Sequence, residues 1–185
     1  MSRRLYLPLF LLALLLCSTA TPASAGVLGF NEWGLTAFGN KSMDADNGDL
    51  YEAGMFAHVA MPLMKRKDLR LDFRVEGQFG VFWDYDTGVE VAIVPALRLY
   101  FTCNDAFQPY AEAGVGPSYN TLDIDELGLG FNFLSFGGLG LRFPLGEAMS
   151  LDVGYRWRHI SNAGLDDQNQ GVSSNQLQVG LAWAF

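Results

Sequence analysis

From Leu69 to Val81 the chain alternates with a period of two: Leu69, Leu71, Phe73, Val75, Phe79 and Val81 share one parity, and Arg70, Asp72, Arg74, Glu76 and Gln78 share the other. Successive strand side chains point to opposite faces, so this stretch predicts a strand with one apolar and one charged face. The same design predicts strands at Val89–Phe101, Met149–Trp157 and Leu177–Phe185. Weaker alternation over Glu32–Asn40, Tyr51–Met61, Tyr110–Asn120 and Phe131–Phe143 brings the count to eight. After Ala25 no apolar run approaches the length of a membrane-spanning helix.

Strands can cross lipid only as a closed barrel, because every backbone N–H and C=O must find an internal partner there. Eight segments of about ten residues suit the smallest bacterial barrels, which have an even strand count. A soluble sandwich or lipocalin-like barrel also alternates, but it turns large apolar residues inward and charges outward. Trp33, Trp83, Trp157 and Trp183 at strand ends and an aromatic Phe185 at the last position favour the membrane form. The expectation is therefore an all-β, eight-stranded antiparallel transmembrane β-barrel over residues 26–185. Asp72 and Glu76 interleave with Arg70 and Arg74, which lets an inward charged ladder neutralise itself.

The connections sort by length. Leu63–Asp68, Thr102–Phe107 and Pro144–Ala148 are short; Lys41–Leu50, Thr121–Gly130 and Ile160–Asn175 are longer, and Asp84–Gly88 is short but falls among the latter by position. Short turns belong to the periplasm and long loops to the exterior, so the seventh strand should run outward and finish near His159 at the outer leaflet.

The first residues add an export signal. Arg3 and Arg4 precede an apolar run of 13 residues from Leu5 to Cys17, and Ala23-Ser24-Ala25 follows as a cleavage signature. Residues 1–25 read as a signal peptide. Its removal takes two arginines and no acids, leaving 10 Lys+Arg against 20 Asp+Glu and a net charge near −10. That balance excludes nucleic acid, whose phosphates call for a basic face. Cys17 leaves with the signal, so Cys103 has no partner for an internal disulfide. Two histidines and one remaining cysteine give no support for a zinc site.

The densest polar cluster is His159-Ile160-Ser161-Asn162-Ala163-Gly164, followed by Asn169-Gln170-Gly171. His159 and Ser161 lie two apart, hence on one strand face, where an imidazole can serve a hydroxyl as general base. Parity with Val153, Tyr155 and Trp157 puts both on the lipid-facing side, an unusual place for polar groups. The bland alternative is a rim histidine beside a loop serine.

At this cluster the chain resembles the outer-membrane lipid A 3-O-deacylases of the PagL type, whose signature runs His-x-Ser-Asn-Ala-Gly, then Asn-x-Gly-x-Glu, then a last strand ending in Phe. The resemblance is close over the final roughly 35 residues and extends as an eight-strand plan over the mature chain. It implies His159 as general base, Ser161 as nucleophile, and Asn169 with the backbone around Ala163 and Gly164 as oxyanion stabilisers, with Asn162 shaping the turn or assisting the site. It further implies hydrolysis of the ester-linked 3-hydroxyacyl chain at the 3 position of lipid A, without metal or cofactor. The substrate partner is then lipopolysaccharide in the outer membrane; a homodimer is left open.

One position departs from the signature. Where the family carries the acid that orients the histidine, this chain has Ser173. An acid fixes the histidine tautomer and stabilises the imidazolium, so its vacancy lowers rate without removing the nucleophile. Asp166, Asp167, Asp123, Asp125 and Glu126 are candidate substitutes, and each also reads as a solvated loop charge. His58 falls on the inward parity with Glu52 and Gly54 and reads as a lumen hydrogen-bonding group. The acids Asp44, Asp46, Asp49, Asp84 and Asp86 suit divalent cations in type but match no defined calcium loop. The rival readings are a non-catalytic barrel of structural or adhesive role and a narrow pore, the latter disfavoured because side chains largely fill eight-stranded barrels.

Overall fold

A computed structural model describes residues 29–43, 49–101, 106–128, 130–167 and 170–185. The expected leader, Cys103, Asn169, Asp44 and Asp46 lie outside the described residues. The strands are β1 (Glu32–Ser42), β2 (Leu50–Lys65), β3 (Leu69–Asp84), β4 (Gly88–Phe101), β5 (Gln108–Asn120), β6 (Phe131–Pro144), β7 (Met149–Ser161) and β8 (Val172–Ala184). Each pairs antiparallel with the next, and β8 pairs with β1 from Glu32↔Ala184 to Ser42↔Ser174, closing the barrel.

Strand ends run beyond the apolar alternation. β2 continues to Lys65, β7 to Ser161, and β8 begins at Val172. Backbone pairing ignores side-chain polarity, so a ladder persists where the pattern that betrays it in the sequence has stopped. This matters for the site, because His159 and Ser161 thereby sit on regular strand.

The two faces are sorted by burial. Ile93, Val115, Leu139 and Leu177 point outward and are each more than half exposed, whereas Arg74, Arg98, Arg156 and Arg158 are at most 1% exposed inside. Such an inversion is costly in water and suits a barrel wall that faces lipid. Stacked Trp33 and Trp183 mark the short-turn end of the wall, and stacked Tyr51 and Trp83 the long-loop end, as interfacial aromatics do.

Inside, the charges neutralise one another, but not mainly along β3 as its alternation suggested. Arg70 meets Asp72 at 3.1 Å and Arg74 meets Glu76 at 3.4 Å. The better-made bonds cross the lumen: Arg156 donates from both Nη atoms to Glu76 at 2.8 Å and from Nε to Glu112 at 2.7 Å. Arg98 bonds Glu112 at 2.9 Å and Asp152 at 2.5 Å, and Arg142 joins Asp152 to Glu32. Neighbours two apart on one strand project in parallel, while long side chains from facing walls meet head on. His58 bonds Glu32 at 3.4 Å, in keeping with a lumen role.

Toward the long-loop end the filling turns apolar. Leu50, Phe82, Val94, Leu134, Ile160 and Val172 pack with Ile124 and Leu127. The last two come from the connection between β5 and β6, which therefore folds down into the barrel mouth. There it meets the connection between β7 and β8.

Candidate active site

The register of β7 and β8 builds the site. His159 pairs with Ser173 and Ile160 with Val172, so one step further Ser161 lies opposite Gly171. Arg158 and Ile160 are buried inside, while Trp157 is 43% exposed outside, which puts His159 and Ser161 on the outer wall. The imidazole is held on three sides. It stacks on the Trp157 indole at 5.9 Å between centroids and 10° between planes. Its Nδ1 lies 3.1 Å from Ser173 Oγ. A Cβ on Gly171 would stand 2.6 Å from Cε1 and 2.8 Å from Nε2, and Gly171 has φ of +75°, so only glycine fits under the ring.

That packing leaves Nε2, the nitrogen a general base needs to present, against Gly171, the residue across from Ser161. Among the described residues the Ser161 hydroxyl makes no hydrogen bond to Nε2, and catalytic contacts commonly tighten only with substrate bound. Position 173 is filled by a hydroxyl that already engages Nδ1, where the sequence reading had it simply vacated. Among the described residues no carboxylate stands within ion-pair reach of the imidazole.

Past Ser161 the backbone turns sharply. Asn162 is fully buried; its Oδ1 accepts the Gly164 N–H at 3.0 Å and its Nδ2 donates to the Leu127 carbonyl at 3.1 Å. Ala163 and Gly164 then adopt φ of +56° and +80°. Ala163 is a non-glycine residue in the left-handed region, a costly conformation that persists only where its surroundings enforce it. Both residues are exposed, and with the Gly164 N–H taken by Asn162 it is the Ala163 N–H that stands near the end of β7.

Of the candidate loop acids, Asp123, Asp125 and Asp167 are exposed, as solvated charges would be. Glu126 is not: it is 3% exposed, and its Oε2 has no hydrogen-bond partner. Its carbonyl accepts the Gly171 N–H at 2.8 Å. Sequence reasoning could name Glu126 only as one acid among five, because burial of a loop side chain leaves no periodic signal.

The family described as Lipid A 3-O-deacylase (PagL) matches residues 51–182, well over half of the chain. The chain belongs to this family. A curated relative, the lipid A deacylase PagL of Pseudomonas aeruginosa, is 37% identical over 82 residues, covering 43% of this chain and 45% of that protein. The aligned stretch thus spans less than half the relative's length. Among solved structures, the outer membrane enzyme PagL superposes with a TM-score of 0.63 at 24% identity, over 78% of this chain and 97% of that one. Neisserial surface protein A gives the same TM-score at 18% identity, over 87% of this chain and all of its own. The two likenesses fix the fold equally and choose no activity between them. With the family they make the chain an outer-membrane β-barrel.

Proposed function

We propose that this protein is a lipid A 3-O-deacylase, exported by a signal peptide at residues 1–25, whose site faces the outer leaflet and works by a serine nucleophile. The observation that carries the reading is an imidazole on the outer wall, clamped by Trp157, Gly171 and Ser173, beside a serine on the same strand face. A rim histidine with no chemical task has no need of a glycine floor or of an Nδ1 partner.

The steps follow from the placement. Ser161 Oγ attacks the ester carbonyl carbon of the 3-linked acyl chain while its proton passes to His159 Nε2. The turn at Ala163 and Gly164 receives the oxyanion through the Ala163 N–H, the Gly164 N–H being held by Asn162, and Asn169 adds a second donor. The bond to the sugar oxygen breaks, that oxygen takes the proton from His159, and water then releases the 3-hydroxy fatty acid by the same route reversed. The resemblance calls for no metal or cofactor. A substrate confined to the surrounding leaflet meets an outward-facing nucleophile without a deep pocket, which supplies proximity.

Ser161→Ala tests the reading. The variant should migrate as a folded, heat-modifiable barrel and release no 3-hydroxy fatty acid from lipid A in mixed micelles, because a methyl group cannot form the acyl-enzyme. Undiminished release by the variant, read by mass spectrometry of the lipid A, would exclude Ser161 as nucleophile.

A further inference from the structure

Acids outnumber bases along the chain, yet one turn is basic. Lys65, Arg66 and Lys67 follow one another where β2 turns into β3, with Asp68 the one acid beside them. We propose that this turn binds the phosphate headgroup of an anionic glycerophospholipid in the periplasmic leaflet. The proposal is independent of the deacylase reading and rests on the short turns facing the periplasm.

Among the described residues every other lysine and arginine has a carboxylate partner. Arg74, Arg98, Arg142, Arg156 and Arg158 are buried in the lumen and meet acids there. Lys41 pairs with Asp49 at 2.7 Å and Arg70 with Asp72 at 3.1 Å. Lys65, Arg66 and Lys67 are all exposed, and among the described residues none of them makes an ion pair. Three cations against one acid leave the turn with an uncompensated positive charge. The other short turns have no base at all: 102–107 carries Asp105, and 144–148 carries Glu147.

The turn stands where a headgroup would be. It lies at the short-turn end of the wall, the end marked by the stacked Trp33 and Trp183. Val59 and Leu63 are 37% and 53% exposed, so β2 passes from apolar exposed side chains to three cations within a few residues. That strand continues from Ala60, its last ladder partner on β1, to Lys65. The Arg66 N–H donates to the Leu69 carbonyl at 2.8 Å, which closes the tip and spares a ligand the cost of ordering it. Long Lys and Arg side chains can lay their methylene stems on an apolar rim and keep their charged ends among phosphates. Basic clusters at a membrane edge hold anionic lipids in this way, and each added base strengthens the attraction. A zwitterionic phospholipid offers the same phosphate but cancels its charge with an amine, so the turn discriminates by net charge.

The test is native mass spectrometry of the barrel in detergent, with phosphatidylglycerol and phosphatidylethanolamine supplied in equal amounts. The wild type should retain phosphatidylglycerol over phosphatidylethanolamine on the order of tenfold. A triple variant, Lys65→Ser with Arg66→Ser and Lys67→Ser, should retain the two alike. A charge-keeping variant, Lys65→Arg with Arg66→Lys and Lys67→Arg, should keep the preference. Raising the ammonium acetate concentration should weaken it in the wild type, because exposed charges are screened by salt. Equal retention of both lipids by the wild type overturns the proposal, as do a preference that the serine variant keeps and one that the charge-keeping variant loses. Should the serine variant lose its folded, heat-modifiable band, the salt series decides, and a preference untouched by salt overturns the proposal. Cosedimentation of the wild type with purified peptidoglycan, lost in the serine variant and unaccompanied by any lipid preference, would overturn it in favour of the cell wall.

Discussion

At the scale of single residues, the site turns on what stands opposite His159. Ser173 supplies a neutral acceptor at 3.1 Å where a carboxylate would supply a charge. Ser173→Ala should therefore reduce turnover roughly tenfold by freeing the ring to flip or change tautomer, while leaving the barrel's heat resistance unchanged. Ser173→Glu should raise turnover above wild type, because a charged partner both orients the ring and stabilises the imidazolium. Initial rates of 3-hydroxy fatty acid release from lipid A check both. A Ser173→Ala variant as active as wild type would show that Trp157 and Gly171 suffice to hold the imidazole.

At the scale of elements, the decisive contact is between the connections at 121–130 and 162–171. Asn162 joins them: it closes its own turn through Gly164 and grips the Leu127 carbonyl. Leu127 and Ile124 in turn anchor the first connection in the apolar mouth of the barrel. Asn162→Ala should strip the hydrogen bonds to Gly164 and to the Leu127 carbonyl at a cost of about 1–3 kcal/mol, borne by the loops and not the strands. The expected outcome is a folded barrel of near-normal thermal stability, faster proteolytic nicking within 121–130 and 162–171, and reduced deacylation. Loss of the folded, heat-modifiable band would instead place Asn162 in the barrel's own stability. The sequence singled Asn162 out within the motif, but not its partner, because the bond spans 35 positions in the chain.

At the scale of the whole molecule, lipid outside and charge inside set the terms. Glu112 is 5% exposed and receives Arg98 and Arg156, with Arg74 at 3.8 Å. Glu112→Ala would leave those guanidiniums buried with too little negative charge, a defect worth about 3–5 kcal/mol. Urea unfolding in detergent, followed by the heat-modifiable gel shift, should show a lowered midpoint, with the site chemistry affected only through stability. An unchanged midpoint would mean that Glu76 and Asp152 carry the neutralisation without it. The packed guanidiniums also answer the narrow-pore reading at their own level of the lumen, where arginines stack on aromatic faces, as Arg156 does on Phe136 at 3.8 Å.

What the sequence determined alone was whatever repeats with the period of a strand or is written in consecutive residues. Alternation from Leu69 to Val81 and its counterparts determined the strands, and the need to pair every backbone group in lipid turned eight of them into a closed barrel. The run from His159 to Gly164 determined where chemistry should sit, because its residues are neighbours in the chain. Tertiary structure decided the partners. Alternation showed that Arg156, Glu76 and Glu112 face inward but not that they meet, since the register and closure of distant strands choose which long side chains touch. It likewise could not rank Glu126 above the other loop acids. Only a loop folded into the barrel mouth buries that carboxylate and ties its backbone to Gly171, and such burial depends on contacts remote in sequence rather than on any local pattern.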